Sequence, residues 1–114
     1  MERCGWLGAL HDPLIGKVLS LIHSQPQQPW TVAALARSVA CSRSAFAARF
    51  SALTGEGPIV YLTRWRMQLA ARLLAEHPHA RVNEVVEQVG YHSEAAFSKA
   101  FKRAMGVAPR KYRQ

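Results

Sequence analysis

Apolar residues recur along this chain with the spacing of helices. In successive segments they fall at positions i, i+3, i+4 and i+7, which is the pattern that one face of an α-helix produces. Residues that start helices stand before these segments, and glycine-containing stretches at 55–57 and 106 follow two of them. The predicted N-caps are Asp12, Thr31, Ser42 and Ser93. The pattern predicts an all-α fold.

One segment has an ambiguous composition. Val82, Val85, Val86 and Val89 form an apolar stripe, yet valine is a poor helix former and the run in isolation resembles a strand. The spacing of the four valines favours a helix.

The two halves of the chain resemble each other. Val32 matches Val82 and Val39 matches Val89, an offset of 50 residues. After a predicted turn the offset becomes 51, and the matched pairs are Phe46 and Phe97, Phe50 and Phe101, Gly55 and Gly106, Pro58 and Pro109, and Tyr61 and Tyr112. A duplicated unit of helix, tight turn and helix is the layout of the helix-turn-helix motif, whose second helix enters the major groove of DNA.

A longer helix is predicted between the repeats, over residues 59–76. The line of side chains that this helix turns toward the core, its inward line, is predicted to contain Leu62, Trp65, Leu69 and Leu73. A helix of this length spans about 27 Å, which is comparable with one DNA turn of about 34 Å. We therefore expect it to hold the two recognition helices in successive major grooves, so that one chain binds without requiring a palindrome.

The charge of the chain narrows the class of partner. The chain contains 15 Lys and Arg residues and seven Asp and Glu residues, which gives a formal net charge of +8. A charge of this sign favours a polyanionic partner. A membrane partner is not expected, because the basic residues are scattered and no run of about 18 apolar residues is present. Cys4 and Cys41 form no disulfide framework or metal-ligand spacing, which fits a reducing cytoplasm.

No enzyme chemistry is predicted. The chain shows no Ser/His/Asp order typical of a triad, no glycine-rich phosphate loop and no carboxylate pair at an apolar site. His77 and His79 lack a third ligand, so we expect no metal site, and no cofactor is predicted. The alternative to a DNA-binding protein is a helical protein-interaction module that has lost DNA binding.

Three segments of the chain carry a specific resemblance to a known family. They are DPLIGKVLSLIH (12–23), WTVAALARSVACSRSAFAARF (30–50) and VGYHSEAAFSKAFKRAMGVAPRKYR (89–113). With them, the chain resembles the DNA-binding domain of AraC/XylS-type bacterial transcription regulators. The resemblance implies a homeodomain-like fold of about seven helices, with two helix-turn-helix lobes at 12–56 and 78–114 joined by a linker helix at 57–77. It also implies binding to double-stranded promoter DNA, contact with RNA polymerase, and a cytoplasmic, nucleoid-associated location.

Many relatives carry an upstream cupin-like effector domain. That domain is not within these 114 residues, and residues 1–11 resemble the tail of the linker that follows it. We therefore expect no small-molecule ligand in this chain.

Helical phase sorts the first recognition helix into faces. With Phe46 and Phe50 inward, its outward side chains are small and its flanks are basic. Hydroxyl and methyl groups suit thymine methyl contacts, whereas arginines on the flanks suit phosphates. The predicted DNA-binding residues of this unit are Arg43, Ser44, Ala47, Ala48 and Arg49.

The second recognition helix presents a more basic face. With Phe97 and Phe101 inward, the predicted DNA-binding residues are Glu94, Ala95, Ser98, Lys99, Lys102 and Arg103. Lys99 suits guanine and Ser98 suits several bases, while Lys102 and Arg103 suit phosphates. For Glu94 two roles stay open: acceptance from a cytosine amino group, or stabilisation of the helix N-terminus.

The chain departs from the pattern of the family at three positions. Ala48 stands where the family often has arginine, which argues against strong direct readout by the first unit. Val86 replaces a usually small residue, and Arg81 holds a cap position, so a ragged helix start is predicted there. Arg66 matches a family arginine, for which a buried hydrogen-bonding role and a phosphate contact are both open.

These differences lead to a hypothesis about the two units. The second unit is expected to give most of the charge-driven affinity, and the first to read shape or methyl groups. Arg110, Lys111 and Arg113 either add phosphate contacts or are simply solvated.

Overall fold

The computed structural model describes residues 12–113, and within them it contains seven helices and no strand. The predicted tail at 1–11, with Cys4, and the terminal Gln114 lie outside the described residues. The helices are α1 Pro13–Ser24, α2 Val32–Ser38, α3 Arg43–Thr54, α4 Pro58–Glu76, α5 Val82–Gln88, α6 Glu94–Met105 and α7 Pro109–Arg113. The all-α prediction is confirmed, and the valine-rich segment is helical.

The chain divides into two compact units. Among the described residues, the first contains 12–25 and 29–62, and the second contains 26–28 and 63–113. The long helix α4 supplies residues to both.

The first unit has its own buried core. Phe46 and Phe50 of α3 are fully buried, as is Leu35 of α2, and Leu62 of α4 is nearly so. Helix α1 contributes an apolar stripe at helical spacing, Ile15, Val18, Leu19 and Ile22. These buried residues follow the helical spacing that the apolar periodicity predicted.

The second unit is built around a separate cluster of buried residues. Its buried side chains are Met67, Ala70, Ala71, Leu74, Val85, Val86, Val89, Phe97 and Phe101. The inward line predicted for α4 is wrong beyond Leu62. The buried side chains of α4 in this unit are Met67, Ala70, Ala71 and Leu74, which lie on a neighbouring line of the helix. Trp65, Leu69 and Leu73 are only partly buried.

The predicted N-caps form the expected hydrogen bonds. The side-chain oxygens of Asp12, Thr31, Ser42 and Ser93 accept from backbone N–H groups at 2.9, 3.0, 3.2 and 3.1 Å. Each bond satisfies a donor that a helix end leaves without an intrahelical partner.

The ragged start predicted at Arg81 is wrong. Glu84 Oε1 accepts a hydrogen bond of 2.9 Å from the Arg81 backbone N–H, which ties the first turn of α5 to the residue before it. A glutamate three residues after the cap supplies this half of a capping box, so α5 starts at Val82 just as α2 starts at Val32.

The turns of the two helix-turn-helix units share one backbone design. Residues 39–42 link α2 to α3, and residues 89–93 link α5 to α6, so the extra residue of the second repeat lies in the turn. The Cys41 N–H donates to Ala36 O at 2.9 Å, and the Tyr91 N–H donates to Val86 O at 3.0 Å. The larger Val86 side chain is therefore accommodated with this turn hydrogen bond intact.

Each turn contains one residue in the left-handed region. Ala40 has φ = 57° and Gly90 has φ = 89°. A β-carbon at position 90 would lie 2.6 Å from Pro26 O and 2.8 Å from a guanidinium nitrogen of Arg66, so position 90 needs glycine for space as well as for conformation.

We expect substitutions at positions 40 and 90 to change the free energy of unfolding in opposite directions. Ala40→Gly should stabilise the fold by about 0.5 kcal/mol, because relief of left-handed strain exceeds the entropy that glycine adds to the unfolded chain. Gly90→Ala should cost about 2 kcal/mol or more, because strain and a backbone clash add. Urea unfolding followed by circular dichroism measures both, and equal destabilisation by the two changes would contradict the account.

Candidate nucleic-acid interface

A pair of phenylalanines sets the orientation of each recognition helix. Phe46 and Phe50 on α3 lie with ring centroids 5.8 Å apart, and Phe97 and Phe101 on α6 lie 5.7 Å apart. All four side chains are fully buried. Because residues four apart lie on one helical face, the opposite face of each helix must point outward.

A tyrosine packs edge-on against the second phenylalanine of each pair. Tyr61 meets Phe50 at 5.7 Å, and Tyr112 meets Phe101 at 5.3 Å, both in T-shaped geometry. These tyrosines are themselves a matched pair of the repeat, so the duplication extends to side-chain geometry. Edge-to-face contacts of this kind add about 0.5–1.5 kcal/mol beyond the area that they bury.

The outward face of α3 is small and nearly neutral. Arg43, Ser44 and Ala48 are exposed, and Ala47 is partly buried. Helical phase therefore placed Arg43, Ser44 and Ala48 correctly on the surface, while Ala47 is partly covered. The contact of these four residues with DNA stays a prediction.

The fifth predicted residue of this unit, Arg49, has a partner within the chain. Its guanidinium lies 2.7 Å from Asp12 Oδ2, and its Nε donates to the same oxygen at 2.9 Å. The same carboxylate caps α1 through the N–H groups of Leu14 and Ile15. Asp12 therefore joins the start of the first helix to the recognition helix, a link across 37 residues that sequence reasoning missed.

The charge state of Asp12 depends on these contacts. Burial alone raises the pKa of its carboxyl, but hydrogen bonds from Arg49 and two backbone N–H groups, with the Arg49 charge, outweigh burial. The pKa of Asp12 therefore lies below its ordinary value of 3.8.

The outward face of α6 is basic. Ala95, Lys99, Lys102 and Arg103 are exposed, and Ser98 is partly buried. In the first unit the repeat places uncharged Ala48, Ser51 and Ala52 at the positions of the three cations. The two units thus share a frame, which consists of the turn, the buried phenylalanine pair and the edge-on tyrosine, but they carry different surfaces.

Glu94, the first residue of α6, faces a cation of the same unit. Its Oε2 lies 3.8 Å from a guanidinium nitrogen of Arg110 on α7, and both side chains are substantially exposed. The pair is long and solvated, so its contribution to stability is small.

Arg66 forms hydrogen bonds inside the second unit. Its Nε donates to Pro26 O at 3.0 Å, and a terminal nitrogen donates to Gln28 O at 2.7 Å. The guanidinium carbon also lies 5.9 Å from the centre of the Tyr91 ring, within the range of a cation–π contact. Of the two roles left open for this residue, the structure supports hydrogen bonding.

Among residues 12–113, no group of three or more His, Cys, Asp or Glu side chains could hold a metal ion. None of the described helices is both long and apolar enough to cross a membrane. Cys41 lies half-buried in the first turn.

Comparison with known proteins decides the family. A family model described as a helix-turn-helix domain matches residues 35–114. The chain is 50% identical over 110 residues to a putative AraC-like transcription regulator of Streptomyces lividans, covering 96% of the chain. This chain belongs to the AraC-type helix-turn-helix family. It is also 42% identical to the transcriptional regulator AlkR of Acinetobacter baylyi. The chain spans 36% and 35% of these two relatives, about a third of their length.

Solved structures agree with this assignment. The C-terminal domain of AraT, a response regulator from Geobacillus stearothermophilus, superposes with a TM-score of 0.86 at 32% identity, covering 90% of this chain and 84% of that one. The DNA-binding domain of AdpA, solved in complex with a target DNA, gives a TM-score of 0.80 at 34% identity, with 90% of each chain covered.

The lowered pKa of Asp12 predicts a pH dependence for this AraC-type domain. The stabilisation that the carboxylate gives is complete above about pH 5 and is lost as the pH falls through 3.8 and the lower folded pKa. Asp12→Asn keeps a capping oxygen but removes the ion pair, so it should cost at most about 1 kcal/mol at pH 7. It should also flatten the stability profile between pH 5 and pH 2.

Asp12→Ala is the companion variant, because it removes the cap as well. It should cost about 1 kcal/mol more than Asp12→Asn at pH 7. Urea unfolding across the pH range measures both variants. If Asp12→Asn retained the acid sensitivity of the parent chain, the coupling of Asp12 to Arg49 would be refuted.

Proposed function

We propose that this domain binds double-stranded promoter DNA with sequence preference and regulates transcription, using the outward faces of α3 and α6. The observation that carries the proposal is that each recognition helix is anchored by a buried phenylalanine pair, while its opposite face is open. Family membership supports it, as does the structure of the AdpA domain with its target DNA.

The surfaces of the two helices suggest a division of labour. Lys99, Lys102 and Arg103 supply cations for bases and phosphates, whereas the exposed face of α3 supplies hydroxyl and methyl groups. In the first unit, Arg49 is tied to Asp12 and only Arg43 remains on the flank without a described ion pair. We therefore propose that charge-driven affinity resides mainly in the second unit.

Three further parts of the proposal rest on the family resemblance and on helix length. They are contact with RNA polymerase, a cytoplasmic, nucleoid-associated location, and entry of α3 and α6 into successive major grooves. Helix α4 contains 19 residues, about 28 Å at the α-helical rise, which supports the last of these. The length of the DNA segment protected by the bound chain tests it.

Binding to random-sequence duplex DNA tests the function itself. Fluorescence anisotropy at low salt should show binding that weakens steeply as salt rises, because phosphate contacts release counterions. The alternative, a protein-interaction module that has lost DNA binding, predicts no such binding. If the chain did not bind duplex DNA even at low salt, the proposal would be refuted.

Paired substitutions test the division of labour. Lys99→Ala with Lys102→Ala should weaken binding to a selected DNA fragment more than Ser44→Ala with Ala47→Gly, and should give a shallower salt dependence. Circular dichroism checks the fold of each variant, since glycine within a helix costs about 1 kcal/mol. Equal losses of affinity would count against the assignment.

A further inference from the structure

A basic depression lies beside the N-terminus of α6 in the second unit. It has a volume of about 560 Å³, and its lining includes Arg81, Asn83, Glu94, Arg110 and Arg113. Three of these five residues are arginines. None of the three belongs to the outward face of the recognition helix.

One of the arginines holds the wall of the depression in place. Arg113 donates to Ala80 O at 2.6 Å and to His77 O at 3.4 Å, so α7 fixes the loop before α5. That loop leads directly to Arg81, which is exposed. The two terminal nitrogens of Arg113 thus bond to backbone oxygens, and its Nε is buried without a hydrogen-bond partner. Arg81 and Arg110 are therefore the exposed arginines of the depression.

Arg110 forms only a weak ion pair, with Glu94 of the same unit. The side chain of Arg110 is 82% exposed and lies 3.8 Å from Glu94. An exposed ion pair at this distance is easily exchanged for a stronger acceptor. A phosphate oxygen is such an acceptor, because arginine binds phosphate through paired hydrogen bonds.

The repeat shows that this arrangement is particular to the second unit. Arg81 corresponds to Thr31, Arg110 to Ile59, and Glu94 to Arg43. The first unit therefore has an uncharged residue at both arginine positions and a cation where the second has its carboxylate. The shared frame does not require these charges, so packing does not explain them.

We propose that the depression binds one phosphate of the DNA backbone, gripped by Arg81 and Arg110, with Glu94 as the internal anion that the phosphate displaces. The inference rests on the proposed function and adds a contact beside the recognition helix. It also assigns Glu94 a positioning role: the carboxylate holds Arg110 in the free protein and does not read cytosine.

The test compares salt dependence in two charge-matched variants on random-sequence duplex DNA. Arg81→Gln with Arg110→Gln should weaken binding about tenfold and reduce the slope of log K against log salt by about 1. Lys17→Gln with Arg72→Gln removes the same net charge from exposed positions outside the depression and both recognition helices, and should change the slope less.

Equal slopes in the two variants would overturn the inference and leave the proposed function intact. No salt-dependent binding by the parent chain would overturn both. Thermal unfolding of each variant shows whether its fold is retained. Because Arg81 and Arg110 are exposed, we expect little change in the midpoint.

A double-mutant cycle tests the role of Glu94. Glu94→Gln should tighten binding to random duplex DNA about threefold, and the gain should shrink when Arg110→Gln is also present. If Glu94 instead read cytosine, Glu94→Gln would weaken binding only at sites with that base. An equal gain with and without Arg110 would also overturn the proposed pairing.

Discussion

Burial of two phenylalanines one helical turn apart is the constraint on which the rest of each unit depends. A fully buried phenylalanine stabilises a fold by about 1.5–3 kcal/mol, so rotating α3 or α6 to expose its pair would cost several kcal/mol. The faces opposite Phe46 and Phe50, and opposite Phe97 and Phe101, are therefore fixed toward the outside. This is how a recognition surface can differ freely in sequence while its orientation stays the same.

The two units of this AraC-type domain illustrate that freedom. Their turns share the same hydrogen bond, and a tyrosine edge covers the second phenylalanine in both. Their surfaces diverge: uncharged side chains occupy α3 where lysines and an arginine occupy α6. In the second unit, further arginines lie beside the recognition helix, at positions that are uncharged in the first. A duplicated frame with unequal surfaces suits recognition of an asymmetric DNA site.

Local features could be predicted from the sequence because their physical causes are local. Helical period, capping side chains and the repeat placed the helices, the turns and the outward residues such as Ser44 and Lys99. The link from Arg49 to Asp12 could not be predicted, since it joins groups 37 residues apart. The buried line of α4 could not be fixed from the sequence, because apolar residues occupy two neighbouring lines of this helix and their period alone does not choose between them. Met67, Ala70 and Leu74 are fully buried, whereas Leu69 and Leu73 are partly buried. Glu84 lies three residues after the cap, a capping-box spacing that the sequence shows, although an arginine at the cap offers no side-chain acceptor for the reciprocal bond.

Selection of bound sequences from a random pool of duplex DNA shows in one experiment whether the two units bind DNA and which bases each of them prefers. Because the two units have unlike surfaces, we expect enrichment of a site with two blocks of preferred bases that are not related as a palindrome. Failure to enrich any sequence, or enrichment of a strictly palindromic site, would contradict it.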